Sequence, residues 1–287
     1  MTKAVAQPAK TASQPVSGRP IALTIAGFDP SSGAGITADL KVFAAHDIYG
    51  MACITALTVQ STLGVRRVEP IAVTTLSETL ACLRDDVTPS GVKIGMLATA
   101  ETVGQVVAFL NDTEIDRQQV VLDPVLRSSS GRELLHAAGV NRLRAELLAR
   151  VGWITPNLDE LSILIESGPV RREDIPAAAS KLQQIARQTG NPELHVVVTG
   201  GHLDRPDDFL RTPDGEEIWL PGEHVETSST HGTGCAFSSA LLSQLLKDTK
   251  PKQAVEAAKA YVTGALKAAY PVGRGKGPMH HLFGLSS

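Results

Sequence analysis

The strongest chemical signal in this sequence is a short glycine-containing segment that leads directly into an apolar helical stretch. Residues 230–235 have the sequence THGTGC. Successive backbone N–H groups at a helix N-terminus, together with the positive end of the helix dipole, bind anions. We therefore predict an anion hole for a phosphoryl group in transfer, formed by Gly232, Thr233, Gly234 and Cys235. The segment is not a Walker loop, because it lacks the lysine of that motif.

Cys235 admits more than one interpretation. A thiol at the start of a helix tends to have a lowered pKa, which predicts that Cys235 is a base or a hydrogen-bond acceptor for a substrate hydroxyl. An ordinary buried cysteine remains an alternative. His231 lies four residues earlier and invites comparison with thiol proteases, but those enzymes need groups organised across the fold, which a short motif does not establish.

A second glycine-rich segment follows the first predicted strand. Residues 26–35 (AGFDPSSGAG) precede a helix that carries Asp39. Small residues leave backbone N–H groups accessible, so we expect a ligand to approach this loop, although a purely structural turn remains an alternative. Residues 33–38 also match a dinucleotide fingerprint, which would suggest an oxidoreductase. They lie too far beyond the strand end, and no acidic residue closes the next strand, so we discount that match.

Gln60 ends the second predicted strand. Its amide can donate and accept hydrogen bonds together, which suits an aminopyrimidine edge with an acceptor ring nitrogen beside an amino donor. A solvated loop glutamine is the alternative that this residue alone favours.

Carboxylates follow two neighbouring predicted strands. Asp123 comes after the fourth strand, and Asn157, Asp159 and Glu160 come after the fifth. Asp123 and Glu160 can hold Mg²⁺ through its water shell, which is how this ion usually binds beside substrate phosphates. Acidic residues in a first helical turn also complement the helix dipole. We accept that explanation for Asp159, and it remains open for Glu160.

Short apolar runs alternate with longer stretches of helical periodicity, which is typical of βα units around a mostly parallel sheet. Each run is apolar enough to be buried on both faces. The predicted strands are residues 21–26, 51–59, 92–97, 120–125, 153–155 and 194–199. The predicted helices are residues 37–45, 100–111, 140–150, 158–167, 175–189, 233–247 and 252–270.

Residues 208–220 interrupt this alternation, because two short extended stretches flank the turn signal Pro213-Asp214-Gly215. We expect an antiparallel edge there. The sequence thus predicts an α/β fold with three layers, α/β/α, and a central mostly parallel sheet. Ligands of such sheets lie outside the carboxyl ends of the strands, where the residues named above are placed.

Composition limits the classes of binding partner and indicates the domain organisation of the chain. A formal net charge of -3 and a pI near 6.2 give no electrostatic footprint for nucleic acid. No stretch approaches the about 20 apolar residues that span a bilayer. Three widely spaced cysteines fit a reducing cytoplasm. Residues 1–18 lack the features of a signal peptide and are predicted to be a disordered tail, followed by one domain over residues 19–287.

With these residues in place, the chain resembles the hydroxymethylpyrimidine/phosphomethylpyrimidine kinase family, a branch of the ribokinase-like superfamily. The similarity runs from about Ile21 to Gly284. The motifs that carry it are residues 23–36 (LTIAGFDPSSGAGI), 38–41 (ADLK), 55–61 (TALTVQS), 93–97 (KIGML), 155–157 (TPN) and 231–235 (HGTGC).

The resemblance implies a ribokinase-like fold, ATP and Mg²⁺ as cofactors, a small pyrimidine substrate and a homodimer. It implies phosphorylation of 4-amino-5-hydroxymethyl-2-methylpyrimidine and then of its monophosphate, in thiamine biosynthesis. The implied pyrimidine contacts are Gly27, Asp39, Gln60 and Met96. The implied cofactor-binding residues are Asp123, Asn157, Glu160 and Thr199, of which Asp123 and Glu160 hold the metal.

Pyridoxal kinases share these motifs but tend to carry another residue at the position of Gln60, so Gln60 favours the pyrimidine. Two positions depart from the family pattern, because Ser129 and Thr199 stand where lysines are usual. A lost lysine weakens phosphate binding, which places the second phosphorylation in question and keeps a non-catalytic pyrimidine-binding protein as an alternative. Arg127 and Lys276 are possible substitutes by position.

Overall fold

The computed structural model describes residues 18–128, 131–201, 203 and 205–285. The predicted tail lies outside these residues except for Gly18, and so does Ser129. Within the described ranges, no helix is long and apolar enough to cross a membrane.

A sheet of nine strands forms the centre of the described molecule, in the order β3-β2-β1-β4-β5-β6-β7-β8-β9. The strands are β1 (Ile21–Phe28), β2 (Tyr49–Ser61), β3 (Gly64–Pro70), β4 (Gly91–Ile94), β5 (Val120–Leu122), β6 (Trp153–Ile154), β7 (His195–Val198), β8 (Asp208–Arg211) and β9 (Glu217–Leu220). From β2 to β7 all neighbours are parallel, with Ile21 opposite Tyr49 and Leu23 opposite Val92. Antiparallel strands close both ends.

Helices cover both faces of the sheet. Successive side chains of a strand point to opposite faces, so apolar strands need a covering layer on each side. They are α1 (Gly35–Ala45), α2 (Val73–Asp86), α3 (Ala100–Asn111), α4 (Ala137–Ala145), α5 (Leu158–Leu164), α6 (Ile175–Gln188), α7 (Thr233–Leu245) and α8 (Pro251–Lys267). Leu23 and Ile25 of β1 pack in one apolar core with α2 to α6. Ala22 packs in a second core with α1, α7 and α8. The predicted α/β fold with three layers is therefore confirmed.

The predicted strands are all present, and the predicted antiparallel edge is β8 with β9. Two elements were missed. β3 pairs antiparallel with β2, but its sequence GVRRVEP is largely polar because one face of this edge strand is exposed. α2 buries only Leu76 and Leu80, so its apolar stripe is narrow.

Two expectations about the elements were wrong in detail. The predicted helix over residues 140–150 is two segments, α4 and a 3₁₀ turn over Leu147–Arg150. The prediction that every strand is buried on both faces fails for β2. Its residues Leu57 and Val59 are 42% and 45% exposed, because β2 continues past β1 into the hairpin with β3.

Candidate functional site

The sheet order gathers the predicted site residues along one edge. The strands from β2 to β7 run parallel, so their carboxyl ends lie side by side. In sheet order the residues are Gln60 (β2), Gly27 (β1), Met96 (after β4), Asp123 (after β5), Asn157 with Glu160 (after β6) and Thr199 (after β7).

Two pairs of these residues are in direct contact. A Cβ atom on Gly27 would lie 3.2 Å from the Met96 sulfur, so the glycine lets the end of β1 approach that side chain. Asn157 forms an isolated parallel bridge with Thr199, and the Thr199 N–H donates to the carbonyl of Pro156 at 3.0 Å. The edge therefore has one group of residues at β1, β2 and β4 and another at β6 and β7.

The predicted anion hole is the N-terminus of α7. Gly232 is its N-cap, with a left-handed φ of 84°, and a Cβ atom there would lie 1.8 Å from the Gly33 carbonyl oxygen. Only glycine fits this position. Gly234 is exposed, and a Cβ atom on it would meet only the Asp123 carboxylate, at 3.8 Å. The first turn of α7 thus faces open space beside a carboxylate.

A second helix N-terminus meets the first at the Cys235 thiol, which accepts a hydrogen bond from the Gly35 N–H at the start of α1. The predicted lowering of the Cys235 pKa is wrong. Burial raises the pKa, Lys93 opposes this, and the charges of Asp123 and Asp39 add to the rise, so that it reaches about 12. Cys235 is therefore a protonated thiol at neutral pH and donates to Asp123.

Asp39 does not border the ligand space, which corrects the prediction that it contacts a pyrimidine. Its side chain is fully buried, and both carboxylate oxygens lie 3.0 Å from Lys93 Nζ. The hydroxyls of Thr24 and Ser239 donate to the same carboxylate at 2.6 and 2.8 Å. Every strong acceptor position of Asp39 is therefore occupied by protein groups.

Lys93 is the site residue that sequence reasoning missed. Burial lowers its pKa, but the charge of Asp39 outweighs this effect and holds the pKa above its ordinary value. The protonated Nζ lies 4.0 Å from the Asp123 carboxylate. A lysine in the middle of an otherwise apolar buried strand was the available signal, because such a charge requires a buried partner.

The surroundings of Asp123 and Glu160 disfavour a negative charge on either carboxyl group. Burial raises the pKa of Asp123, Lys93 lowers it and Asp39 raises it again. Burial and the nearby charge of Asp123 raise the pKa of Glu160 to about 8. Asp39 and Asp123 share Lys93 as their neighbouring cation, and a bound divalent cation would favour the ionised forms of Asp123 and Glu160. Oxygen donors also suit Mg²⁺, so these residues fit the predicted metal. No cluster of three His, Cys, Asp or Glu side chains arranged to bind a metal directly occurs in the described ranges.

The α5 N-terminus fixes Glu160. Asn157 accepts a hydrogen bond from the Glu160 N–H at 2.9 Å, and Glu160 accepts one from the Asn157 N–H at 3.0 Å, which is a capping box. The Leu126 N–H donates to its other oxygen at 3.4 Å. The Glu160 side chain therefore caps α5, which the sequence analysis did not predict, and its remaining lone pairs stay available.

The glycine-rich loop of residues 26–35 does not offer the N–H groups of Ser31, Gly33 and Ala34 to a ligand. The Asp29 carboxylate accepts the N–H groups of Ser31, Gly33 and Ala34 at 2.8, 3.1 and 2.9 Å. The expectation of free amides is wrong for these residues, because an internal carboxylate occupies the cradle. His231 Nε2 lies 2.8 Å from the same carboxylate and joins this loop to the anion hole.

Comparison with known proteins identifies the family of the chain. The family profile described as Phosphomethylpyrimidine kinase matches residues 29–280. The chain belongs to the phosphomethylpyrimidine kinase family. It is 40% identical over 264 residues to the Escherichia coli hydroxymethylpyrimidine/phosphomethylpyrimidine kinase, covering 91% of this chain and 96% of the relative. It is 38% identical to the thiamine biosynthesis multifunctional protein ThiED of Corynebacterium glutamicum, covering 91% of this chain and 34% of the relative.

Among solved structures, the chain is similar to Bacillus subtilis pyridoxal kinase in an ADP complex. The TM-score is 0.81 at 32% sequence identity, and the alignment covers 92% of this chain and 98% of the kinase. The phosphomethylpyrimidine kinase family member described here thus has the ribokinase-like fold that the resemblance implied.

We predict that Lys93→Met destabilises the protein by about 3–5 kcal/mol, because it leaves the Asp39 carboxylate buried without a counterion. The double variant Lys93→Met/Asp39→Asn should recover part of this loss, since it removes both charges. Urea denaturation followed by circular dichroism measures both.

Lys41→Met is the matched control, because Lys41 Nζ donates to the Ser32 carbonyl at 2.9 Å and has no carboxylate partner among the described residues. Its cost should be about 1 kcal/mol. Equal costs for the two lysines would show that the buried ion pair has no special role.

Proposed function

We propose that this protein transfers the γ-phosphoryl group of ATP to the primary hydroxyl of 4-amino-5-hydroxymethyl-2-methylpyrimidine, and then to the monophosphate so formed, in thiamine biosynthesis. The observation that carries the proposal is the α7 N-terminus. It presents Gly232 to Cys235 beside Asp123, on the sheet edge that also carries Gln60 and Glu160. The family membership supports the same activity.

The pyrimidine binds over the ends of β1, β2 and β4. Gln60 pairs its amide with the amino group and ring nitrogen of the substrate, while Met96 and the backbone at Gly27 contact the ring. Asp39 acts indirectly, since its carboxylate holds Lys93 below the site. A substrate analogue without the amino group should bind far more weakly, because the Gln60 amide would then lose a hydrogen-bond partner.

The transferred phosphoryl group lies at the α7 N-terminus, where backbone N–H groups of residues 233–235 stabilise its charge. The substrate hydroxyl oxygen forms the new bond to phosphorus as the bond to ADP breaks, and the hydroxyl proton passes to an oxygen of the transferred phosphoryl group. Catalysis of such a loose transition state rests mainly on positioning and charge. Cys235, as a protonated thiol, orients groups beside Asp123 and is not the base.

The nucleotide and metal occupy the β5 to β7 end of the site. Asn157 and Thr199 contact ATP, and Asp123 with Glu160 holds Mg²⁺ through its waters, which offsets charge on the phosphates. The ADP complex of the similar pyridoxal kinase supports nucleotide binding on this fold. Arg127 and Lys276 are candidates, by their position in the sequence, to replace the missing lysines.

Pyridoxal phosphorylation is the second candidate function, favoured by the similarity to pyridoxal kinases.

We also propose a cytoplasmic location, supported by three cysteines that are all unpaired.

Purified protein with ATP and Mg²⁺ should consume ATP with hydroxymethylpyrimidine and with its monophosphate, and much more slowly with pyridoxal. Mass spectrometry of the products in separate reactions measures this, and EDTA should stop turnover. Turnover of hydroxymethylpyrimidine but not of its monophosphate would indicate that Ser129 and Thr199, in place of lysines, abolish the second phosphorylation. Turnover of pyridoxal alone, or tight pyrimidine binding without ATP consumption, would contradict the proposal.

Gly234→Asp should reduce kcat at least 100-fold, because a carboxylate in the anion hole repels the phosphoryl group and Asp123. Gly234→Ala is the matched control, since its Cβ would meet nothing closer than 3.8 Å. Gly234→Ala should unfold at the same urea concentration as the parent protein, and the circular dichroism spectrum of both variants should match that of the parent. Similar activity of the two variants would remove the anion hole from the mechanism.

We further propose a homodimer that buries the exposed apolar face of β2, which carries Leu57 and Val59, and Leu63 of the adjoining turn. Sedimentation velocity should give the mass of a dimer for the parent protein and of a monomer for Val59→Lys. A monomeric parent protein at micromolar concentration would contradict this.

A further inference from the structure

Gln60 does not stand alone at the end of β2. Its amide nitrogen lies 3.4 Å from His231 Nε2, and the amide is near enough to Asp29 to help lower the pKa of that carboxyl group. His231 Nε2 lies 2.8 Å from Asp29 Oδ2. Asp29 is almost fully buried, with 3% of its surface exposed. Three residues that are far apart in the sequence thus meet at one carboxylate.

Asp29 is an anion in this setting. Burial raises the pKa of its carboxyl group, but hydrogen bonds from His231 and Ser31 and the charge of His231 hold the pKa well below its usual range. Because the carboxylate can only accept, His231 must carry its proton on Nε2 to donate to it. The short contact therefore fixes a hydrogen-bond donor at His231 Nε2.

This fixed charge constrains the Gln60 amide. An amide turned by 180° would place its carbonyl oxygen, in place of its NH₂ group, beside a buried carboxylate, which is repulsive. With its NH₂ group turned toward the Asp29 carboxylate, the amide retains its carbonyl oxygen and a second N–H for a ligand. The two remaining groups then present one acceptor and one donor in a single order.

We propose that the Asp29–His231 pair is a positioning device that fixes the orientation of the Gln60 amide and thereby sets substrate specificity. The pair favours ring edges that carry an amino donor beside an acceptor nitrogen, and it disfavours rings such as pyridoxal that carry hydroxyl and aldehyde groups instead. This inference rests on the proposed role of Gln60 in binding the pyrimidine.

Asp29→Asn tests the proposal, because an asparagine amide can both donate and accept and no longer favours one orientation of Gln60. The KM for hydroxymethylpyrimidine should rise about 10-fold, while the KM for ATP should stay within about twofold. The preference for hydroxymethylpyrimidine over pyridoxal, as a ratio of kcat/KM, should fall by a similar factor.

Asp29 also holds the loop of residues 29–34, so loop disruption must be separated from the proposed effect. Ser31→Ala is the matched control, because it removes a 2.7 Å hydrogen bond to Asp29 without removing the charge beside Gln60. Its KM for the pyrimidine should stay within about twofold of the parent value. Thermal denaturation of each variant confirms folding.

A double-variant comparison decides the mechanism. If Asp29 acts through Gln60, then Asp29→Asn has no further effect on the pyrimidine KM once Gln60→Ala is present. Additive effects, or an equal rise in both KM values, would overturn the inference. A Gln60→Ala variant with unchanged pyrimidine turnover would instead contradict the proposed function. If Gln60→Ala raised the pyrimidine KM and Asp29→Asn left it unchanged, only this inference would be overturned.

Discussion

The buried ion pair of Asp39 and Lys93 is the interaction on which the rest of the site depends. It joins α1 to β4, and the hydroxyls of Thr24 and Ser239 connect it to β1 and α7. Two ions removed from water cost several kcal/mol each unless their geometry and hydrogen bonding are complete. Any shift of these elements would leave a buried charge unpaired, so the pair fixes their relative positions directly beneath the anion hole.

The glycine-rich loop before α1 and the one before α7, called here the first and the second loop in chain order, have opposite roles. Asp29 fills the cradle formed by Ser31, Gly33 and Ala34, so the first loop is closed to anions. The second loop has no such carboxylate in its own segment, and Gly234 remains exposed. The first loop packs against Gly232 and so supports the second. One loop therefore serves as scaffold and the other as the candidate phosphoryl site.

The sequence predicted the architecture well because its strands are continuous apolar runs whose ends carry polar residues. The periodicity of apolar residues shows how a segment is buried. It therefore missed β3, whose outer face is exposed to solvent, and α2, whose apolar stripe is narrow. It placed Gln60, Asp123 and Glu160 on one shared edge, since strand ends in a parallel sheet are adjacent.

The sequence failed where charge and burial in three dimensions decide the outcome. A helix N-terminus alone predicts a lowered thiol pKa for Cys235, whereas burial and two carboxylates reverse the sign. Asp39 belongs to the motif that the family shares, but its partner Lys93 lies 54 positions away. No local pattern reveals that such a carboxylate is already occupied.

The central claim is that one edge of the sheet holds the pyrimidine at Gln60 and the transferred phosphoryl group at the α7 N-terminus. A crystal structure with hydroxymethylpyrimidine, Mg²⁺ and a non-hydrolysable ATP analogue tests it most directly. We predict the amino group and ring nitrogen within about 3 Å of the Gln60 amide, and the terminal phosphate at the backbone N–H groups of residues 233–235. A pyrimidine bound away from Gln60, or a terminal phosphate outside this helix N-terminus, would contradict the account.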